Sequence, residues 1–269
     1  MAMLLKAAGL PRSTFYHQLE VQRAGDKHER LKDNIRAVYQ RHKGRYGYRR
    51  ITAAVRQLGD PVNHKTVQRL MGVLGLKSLV RPKKYRSFKG EVGQASHNEL
   101  QRRFDAEAPN QKWVTDVTEF KVAGEKLYLS PMLDLYNGEI IAFEIAKRPK
   151  FELVATMLRK ALAKLRPADK PMLHSDQGWH YRMPAYRTML EARGLVQSMS
   201  RKGNCHDNAA MESFFAVLKT EFFYMNKFTT VDELTAGIRR YIRYYNHDRI
   251  KLKLNGLSPV QFRAQLLAA

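Results

Sequence analysis

Three acids, Asp116, Asp176 and Glu212, have the residue types and setting for metal-dependent chemistry on phosphate. Asp116 lies in KWVTDVTEF (112–120), an apolar and β-branched run where a carboxylate is costly without a partner. Asp176 ends a short apolar run ahead of Gln177-Gly178, as expected of a strand end opening on a cleft. Glu212 follows after 35 intervening residues, near the start of an amphipathic helix, where the macrodipole tolerates negative charge. Three such anions brought together would repel one another, and two divalent cations would relieve the repulsion. An all-oxygen ligand set suits Mg²⁺ or Mn²⁺, and two such ions serve an in-line phosphoryl displacement. Acids are common, so spacing alone leaves open that these are unrelated surface residues. Asp134 and Glu119 compete for the same role, although alternation from Asp116 puts Glu119 on the opposite face of its strand.

Elements that could position these acids follow from periodicity. From Gln111 the pattern becomes strand-like: KWVTDVTEF, KLYLSPMLDLY and EIIAFEIA are three runs separated by the turn signals Ala123-Gly124 and Asn137-Gly138. A helix over about 151–165, a strand over 171–175, a helix over about 184–193, the short strand LVQSMS and a helix over 209–223 complete the order. Three antiparallel strands followed by helix, strand, helix, strand, helix describe an α/β ribonuclease H-like core with a mixed five-stranded sheet and flanking helices. In that fold the first and fourth strands are neighbours, which predicts Asp116 beside Asp176, with Glu212 approaching from the last helix. Lys219, seven residues beyond Glu212, falls two turns along the same helix face, about 10 Å on. There its compact positive charge suits a DNA phosphate, while Phe214, Phe215 and Leu218 face the core.

The formal charge of +23 and pI near 10.2 call for an anionic partner, nucleic acid or a membrane surface. No apolar run is long enough to span a bilayer, and MAMLLKAAGLP is interrupted too early to be a signal peptide. A single cysteine, Cys205, excludes an internal disulfide framework and fits a reducing cytoplasm. His174, His180 and His206 cluster near the acids, but lack the spacing of a zinc site and read as hydrogen-bonding side chains.

The basic excess is densest at the front, where residues 1–110 hold 23 basic and 9 acidic residues. Residues 4–23 suggest two short helices around Gly9-Leu10-Pro11, with Ser13 as N-cap, and a longer helix covers about 26–41. A clearer pair follows. Ile51, Ala54, Val55 and Leu58 form one stripe, Gly59-Asp60-Pro61 turns the chain, and Asn63 caps a helix burying Val67, Leu70, Met71 and Leu74. The far face of that second helix carries Lys65, Gln68 and Arg69, residue types that read guanine and adenine edges in a major groove; an ordinary helical bundle with a solvated face is the alternative. Residues 77–89 then hold Lys77, Arg81, Lys83, Lys84, Arg86 and Lys89 with no acid, and such a run can track a phosphate backbone. The expected organisation is a helical DNA-binding region over 1–76, a basic linker over 77–110, the catalytic core over 111–225 and a helical extension over 226–269. Ser258-Pro259-Val260-Gln261 reads as a capping box.

Five stretches together, YGYRRITAAVRQLGDPVNHKTVQRLMGVLGLK, KWVTDVTEF, HSDQGWHY, SRKGNCHDNAAMESFFAVLKTE and RYYNHDRIKLKLNGLSPVQF, closely resemble OrfB, the catalytic reading frame of IS-three family insertion-sequence transposases. The resemblance runs from about residue 4 to near the C-terminus. It implies the retroviral-integrase superfamily, with Asp116, Asp176 and Glu212 as a DDE triad. It also implies DNA as substrate, metal-dependent 3′-end nicking and strand transfer, a homo-oligomer on DNA, and an upstream OrfA protein as partner or fusion. A ribonuclease H-like structure-selective nuclease and a catalytically inactive DNA-binding protein are the alternatives.

Overall fold

The computed structural model describes residues 5, 7, 9, 11–23, 26–80, 105–200 and 208–267. It divides into two compact units, residues 1–79 and 80–269.

The first unit is helical: α1 (Arg12–Arg23), α2 (Glu29–Arg41), α3 (Tyr48–Gln57) and α4 (His64–Val73). Ser13 lies inside α1 and does not cap it, because the helix begins directly after Pro11, whose fixed φ suits a helix entry. Ile35, Val38, Tyr46, Ile51, Val55, Val67, Leu70 and Met71 are buried, as the stripes on α2, α3 and α4 require. Leu58 departs from its predicted stripe and is exposed, since α3 stops at Gln57. Asn63 caps α4, its side chain accepting from the Lys65 N–H at 2.9 Å.

The second unit is built on one mixed sheet: β1 (Lys112–Thr115), β2 (Thr118–Val122), β3 (Glu125–Asp134), β4 (Ile140–Ala146), β5 (Met172–Ser175) and β6 (Gln197–Met199). β3 pairs antiparallel with β1, β2 and β4, whereas β5 runs parallel to β1 and β6 parallel to β5. KWVTDVTEF, expected as one strand, is two. β1 and β2 meet β3 in one continuous register, Thr115 opposite Met132 and Thr118 opposite Leu129, so they follow a single line that opens only at Asp116 and Val117. That register sets Asp116 opposite Pro131. The Pro131 carbonyl accepts from Thr115 Oγ1 at 2.9 Å and therefore faces this line, where proline has no N–H to offer. The ladder breaks at Asp116, the first of the three candidate acids.

Helices cover both faces. Helix α5 (Phe151–Leu162), the single turn α6 (Trp179–Arg182) and α7 (Pro184–Glu191) bury Val154, Leu158, Tyr181 and Leu190 against Trp113, Met132, Leu173 and Met199. On the other face lie α8 (Ala209–Leu218) and α9 (Val231–His247), burying Met211, Phe214, Leu218, Leu234, Ile238 and Tyr241 against Val114, Phe120, Leu129 and Leu133. α8 does not run on as an α-helix to Phe223: from Lys219 to Phe223 the backbone takes one π-helical stretch. The widened turn carries Glu221 into the interior. There its carboxylate accepts Arg249 Nε and Nη2, each at 2.7 Å, and the Tyr241 hydroxyl at 3.0 Å.

The last helix, α10 (Pro259–Leu267), opens with the expected capping box, Ser258 N donating to Gln261 Oε1 at 2.9 Å and Gln261 N to Ser258 Oγ at 3.3 Å. Its Arg263 reaches Asp134, which is fully buried and also accepts the N–H groups of Asn110 and Tyr136, each at 3.0 Å. Asp134 is thereby committed to the fold. Glu119 pairs at the surface with Lys126 at 3.0 Å.

The Glu221–Arg249 pair is buried on both sides, so removing one partner strands the other charge. Arg249→Ala is expected to lower unfolding stability by about 3–5 kcal/mol. Replacing the two together, Glu221→Leu with Arg249→Met, should return most of that loss. Urea unfolding of the single and double variants measures the difference; equal losses in both would show that the pair is not what holds the π-helical turn.

Candidate functional site

Strand pairing brings the first two acids together. In the parallel pairing of β1 with β5, Val114 stands opposite His174, and continuing that register by two residues sets Asp116 beside Asp176 at the carboxyl ends of neighbouring strands. The alternation of each strand decides the face. Val114 on β1 and Met172 on β5 pack into the core under α8 and α9, while Trp113 and Leu173 enter the opposite one. Two residues beyond Val114, and four beyond Met172, both acids fall on the face covered by the helix that carries Glu212.

Each aspartate spends one oxygen on its own loop. Val117 N donates to Asp116 Oδ1 at 2.7 Å, taking up an N–H freed by the break between β1 and β2. Gly178 N donates to Asp176 Oδ1 at 2.9 Å. Gly178 serves here for close approach: its φ of −52° is ordinary, but a Cβ would sit 2.9 Å from that same carboxylate oxygen. The second oxygen of each aspartate has no hydrogen-bond partner among the described residues.

The electrostatics match this geometry. Burial, then the negative charge of Asp176 and, more weakly, that of Glu212, raise the Asp116 carboxyl to about 8, against the pull of the Val117 N–H and Lys219. Burial raises Asp176 as well, opposed by the Gly178 N–H and by the charges of His180 and Arg182. Beneath the pair, Tyr181 is fully buried with its hydroxyl 3.4 Å from Thr115 Oγ1. Burial and both aspartates hold this phenol well above its ordinary range. Among the described residues no three His, Cys, Asp or Glu side chains gather closely enough to hold an ion. Two raised carboxylates with free oxygens, facing a third, are nevertheless a donor set that fits a divalent cation.

Lys219 stands at the junction of α8 and the π-helical stretch, its Nζ 5.5 Å over the Phe120 ring. Burial lowers its pKa, against the favourable charges of Asp116 and Glu119; its ammonium therefore lies within the field of the first aspartate. Lys65, Gln68 and Arg69 are exposed on α4, opposite its buried stripe. Lys83, Lys84, Arg86, Cys205 and His206 lie outside the described residues. Of the three histidines near the acids, His174 and His180 are described and are bound into the fold: His174 Nδ1 and Nε2 meet Ser198 Oγ at 2.9 Å and Ser200 Oγ at 3.0 Å, and His180 Nε2 donates to the Pro149 carbonyl at 2.9 Å.

Sequence reasoning missed two positioning residues. Asn208, buried at the entry to α8, forms no capping bond; its Nδ2 reaches across to the Thr115 carbonyl at 3.2 Å, tying the Glu212 helix to the residue before Asp116. An asparagine before a helix reads as an N-cap, and that expectation hides the longer reach. Gln177, passed over as loop, donates through Nε2 to the Ser200 carbonyl at 3.0 Å and holds the loop after β5 against the end of β6.

Because the folded state binds protons more tightly at Asp116 and Asp176 than the unfolded chain does, these groups make stability fall as pH rises from the ordinary carboxylate range toward about 8. Asp116→Asn is expected to flatten that decline in metal-free buffer. Thermal melts across this window test it, and identical slopes for the two proteins would contradict the burial of that charge.

Similarity to known proteins agrees with this architecture. The Integrase core domain family matches residues 106–205, a second Integrase core domain family matches 212–267, and the HTH-like domain family matches 27–84. Over 262 residues the chain is 52% identical to "Putative transposase InsK for insertion sequence element IS150" of Escherichia coli (strain K12), covering 97% of this chain and 93% of that protein. It is 34% identical over 239 residues to "Transposase InsF for insertion sequence IS3A" of the same organism, covering 87% and 82%. Among solved structures, the simian T-cell lymphotropic virus intasome in complex with PP2A regulatory subunit B56 gamma shares the fold at TM-score 0.50 and 16% identity, over 79% of this chain and 70% of that one. With an integrase core, an HTH-like region and InsK-level identity along nearly its whole length, the chain belongs to the IS150/IS3-type insertion-sequence transposases of the retroviral-integrase superfamily.

Proposed function

We propose that Asp116, Asp176 and Glu212 form the metal-holding triad of this transposase, and that one cleft performs both DNA nicking and strand transfer. The observation that carries the reading is the side-by-side placement of Asp116 and Asp176 at the ends of parallel neighbours, both pushed toward protonation by burial, with the charge of Glu212 reaching Asp116. Two Mg²⁺ or Mn²⁺ ions, when bound, supply charge neutralisation and Lewis acidity at the attacking and leaving oxygens of an in-line displacement.

The chain's own residues do the rest. Asp116 and Asp176 lie at the ends of neighbouring strands, one oxygen of each fixed by the N–H of Val117 or Gly178 and the other left for a cation. Asn208 holds the start of α8 so that Glu212 stays on their side. Water first hydrolyses a phosphodiester at the element's end and frees a 3′-hydroxyl. That hydroxyl then attacks a target phosphodiester and replaces its 3′-oxygen, so one ester bond breaks as another forms. Lys219, within the field of Asp116, receives a phosphate neighbouring the reacting one. Lys65, Gln68 and Arg69 on α4 meet base edges, and Lys83, Lys84 and Arg86 meet the backbone. The regions assigned to these roles are 1–76, 77–110, 111–225 and 226–269. Additional copies of this chain assemble on the DNA, with an upstream OrfA protein as partner.

Asp116→Asn, Asp176→Asn and Glu212→Gln are each expected to abolish joining of element-end DNA to target while leaving DNA affinity within about threefold, since no basic contact is removed. Millimolar Mg²⁺ or Mn²⁺ should raise the melting temperature of the wild type and of none of the three variants. Wild-type joining by any one variant removes that acid from the triad, and cut but unjoined products from the wild-type protein would make the chain a nuclease.

DNA affinity should fall steeply with salt, with a slope of about −0.9 in log K against log salt for each phosphate contacted. Gln68→Ala should reduce discrimination between element ends and random duplex by about tenfold, which corresponds to the loss of one bidentate base contact. Lys219→Ala should weaken end binding and joining without weakening stabilisation by metal. Unchanged discrimination, or unchanged joining, would clear the corresponding residue of its role.

A further inference from the structure

Trp179 lies three residues beyond Asp176 and is 48% exposed, whereas the chain's other tryptophan, Trp113, is fully buried. Its indole is not a loose side chain. It stacks on the His180 ring with centroids 3.9 Å apart and an interplanar angle of 28°. His180 is itself buried and is fixed by donation from Nε2 to the Pro149 carbonyl. That bond also brings the loop 147–150 against the stack, and the loop presents Lys147, Arg148 and Lys150, all exposed. The Gly178 N–H that fixes Asp176 belongs to the residue immediately before Trp179. A rigid, half-exposed indole, next in the chain to the residue fixing Asp176 and backed by a histidine bonded to a loop that exposes Arg148 and Lys150, with Lys147 paired to Glu125 at 3.3 Å, has no evident structural task on its outer side.

We infer that Trp179 stacks an unpaired nucleobase of the DNA strand whose phosphodiester enters the cleft. Stacking requires a base with a free π-face. Inside a duplex both faces of each base are covered by neighbours, and a paired terminal base offers one face only along the helix axis, so a platform beside the strand selects an end that is frayed or splayed. The neighbouring cations supply the backbone attraction that accompanies such stacking in single-strand grooves. Because His180 backs the indole, the ring loses little freedom when a base arrives. The inference rests on the proposed DNA chemistry of this cleft and adds the state of the substrate: an end opened by a few nucleotides, its extruded base held beside Asp176.

The two tryptophans make the test direct, since only Trp179 is accessible to a base. Fluorescence of the full-length protein is titrated with a thymidine homo-oligomer, a duplex with a few mismatched nucleotides at one end, and the same duplex fully paired. Anisotropy of labelled DNA follows binding independently. The single strand and the open-ended duplex should quench the exposed tryptophan, and the paired duplex should bind with little quenching. Trp179→Ala should weaken binding of the open-ended duplex about tenfold relative to the paired one, as expected for loss of one base–aromatic stack, and Trp179→Phe should restore most of it. Thermal melting confirms that each variant is folded, and quenching of the wild type tests the inference even if Trp179→Ala does not fold. Binding of all three DNAs without quenching overturns the inference, as does equal preference for open ends in wild type and Trp179→Ala. Asp116→Asn separates the two readings. If wild type fails to join DNA while Asp116→Asn still shows quenching by open ends, the strand-transfer reading fails and the stacking site stands. Joining by wild type without quenching gives the reverse.

Discussion

Every feature of the cleft depends on one pairing, the parallel registry of β1 with β5. Parallel neighbours end on the same side of a sheet, so residues at equal register beyond their carboxyl ends meet without help from any loop. Here those residues are two aspartates. Placing them there opposes folding, since burial raises the proton affinity of both and the charge of Asp176 raises that of Asp116 further. The remaining structure must outweigh that opposition. It does so with two apolar layers packed on either side of a sheet whose central strands are buried on both faces.

The C-terminal helices belong to this scaffold. α9 contributes Leu234, Ile238, Tyr241 and Tyr245 to the core that also holds Phe214 and Leu218 of the Glu212 helix. Its Asn246 both accepts from and donates to the backbone of Ile140, each at 2.9 Å. One side-chain amide thus takes the place of a neighbouring strand at that residue of β4, protecting an otherwise open edge. Arg249 fastens the π-helical turn through Glu221, and Arg263 fastens the end of β3 through Asp134. Buried ion pairs add little to stability relative to apolar packing, but they penalise wrong arrangements heavily. The Glu221–Arg249 pair therefore anchors the end of the helix that carries Glu212, and the Asp134–Arg263 pair the end of β3.

Periodicity was a good guide wherever one face of an element is buried and the other is not. The helices of the first unit, the order of strands and helices in the second and the Ser258 capping box could all be read from it. Adjacency of Asp116 and Asp176 was legible only through topology, because it depends on β1 and β5 being neighbours across 56 intervening positions of chain between Thr115 and Met172. Three features were not legible. The break at Asp116 depends on Pro131 across the ladder, a partner that cannot be identified before the register is known. The π-helical turn depends on Arg249, which lies 28 residues from Glu221. The reach of Asn208 to Thr115 spans 93 residues and runs against the local preference for capping. Local propensity cannot report a side chain whose partner is remote in sequence, and the positioning residues of this site are of that kind.

The same electrostatics that make the site costly also bear on how it is controlled. Among the described residues Asp116 lies within the fields of Asp176 and Glu212, yet no three acids are gathered at ion-holding distance. Like charges in a partly desolvated cleft resist closer approach until something positive arrives, and within the second unit the nearby positive group acting on Asp116 is Lys219, itself partly buried and lowered. If Lys219 turns to a DNA phosphate, its pull on Asp116 weakens and the demand for a cation at the acids rises. In the proposed reading, binding of a strand and binding of metal are therefore linked through this one ammonium, each strengthening the other by the same factor.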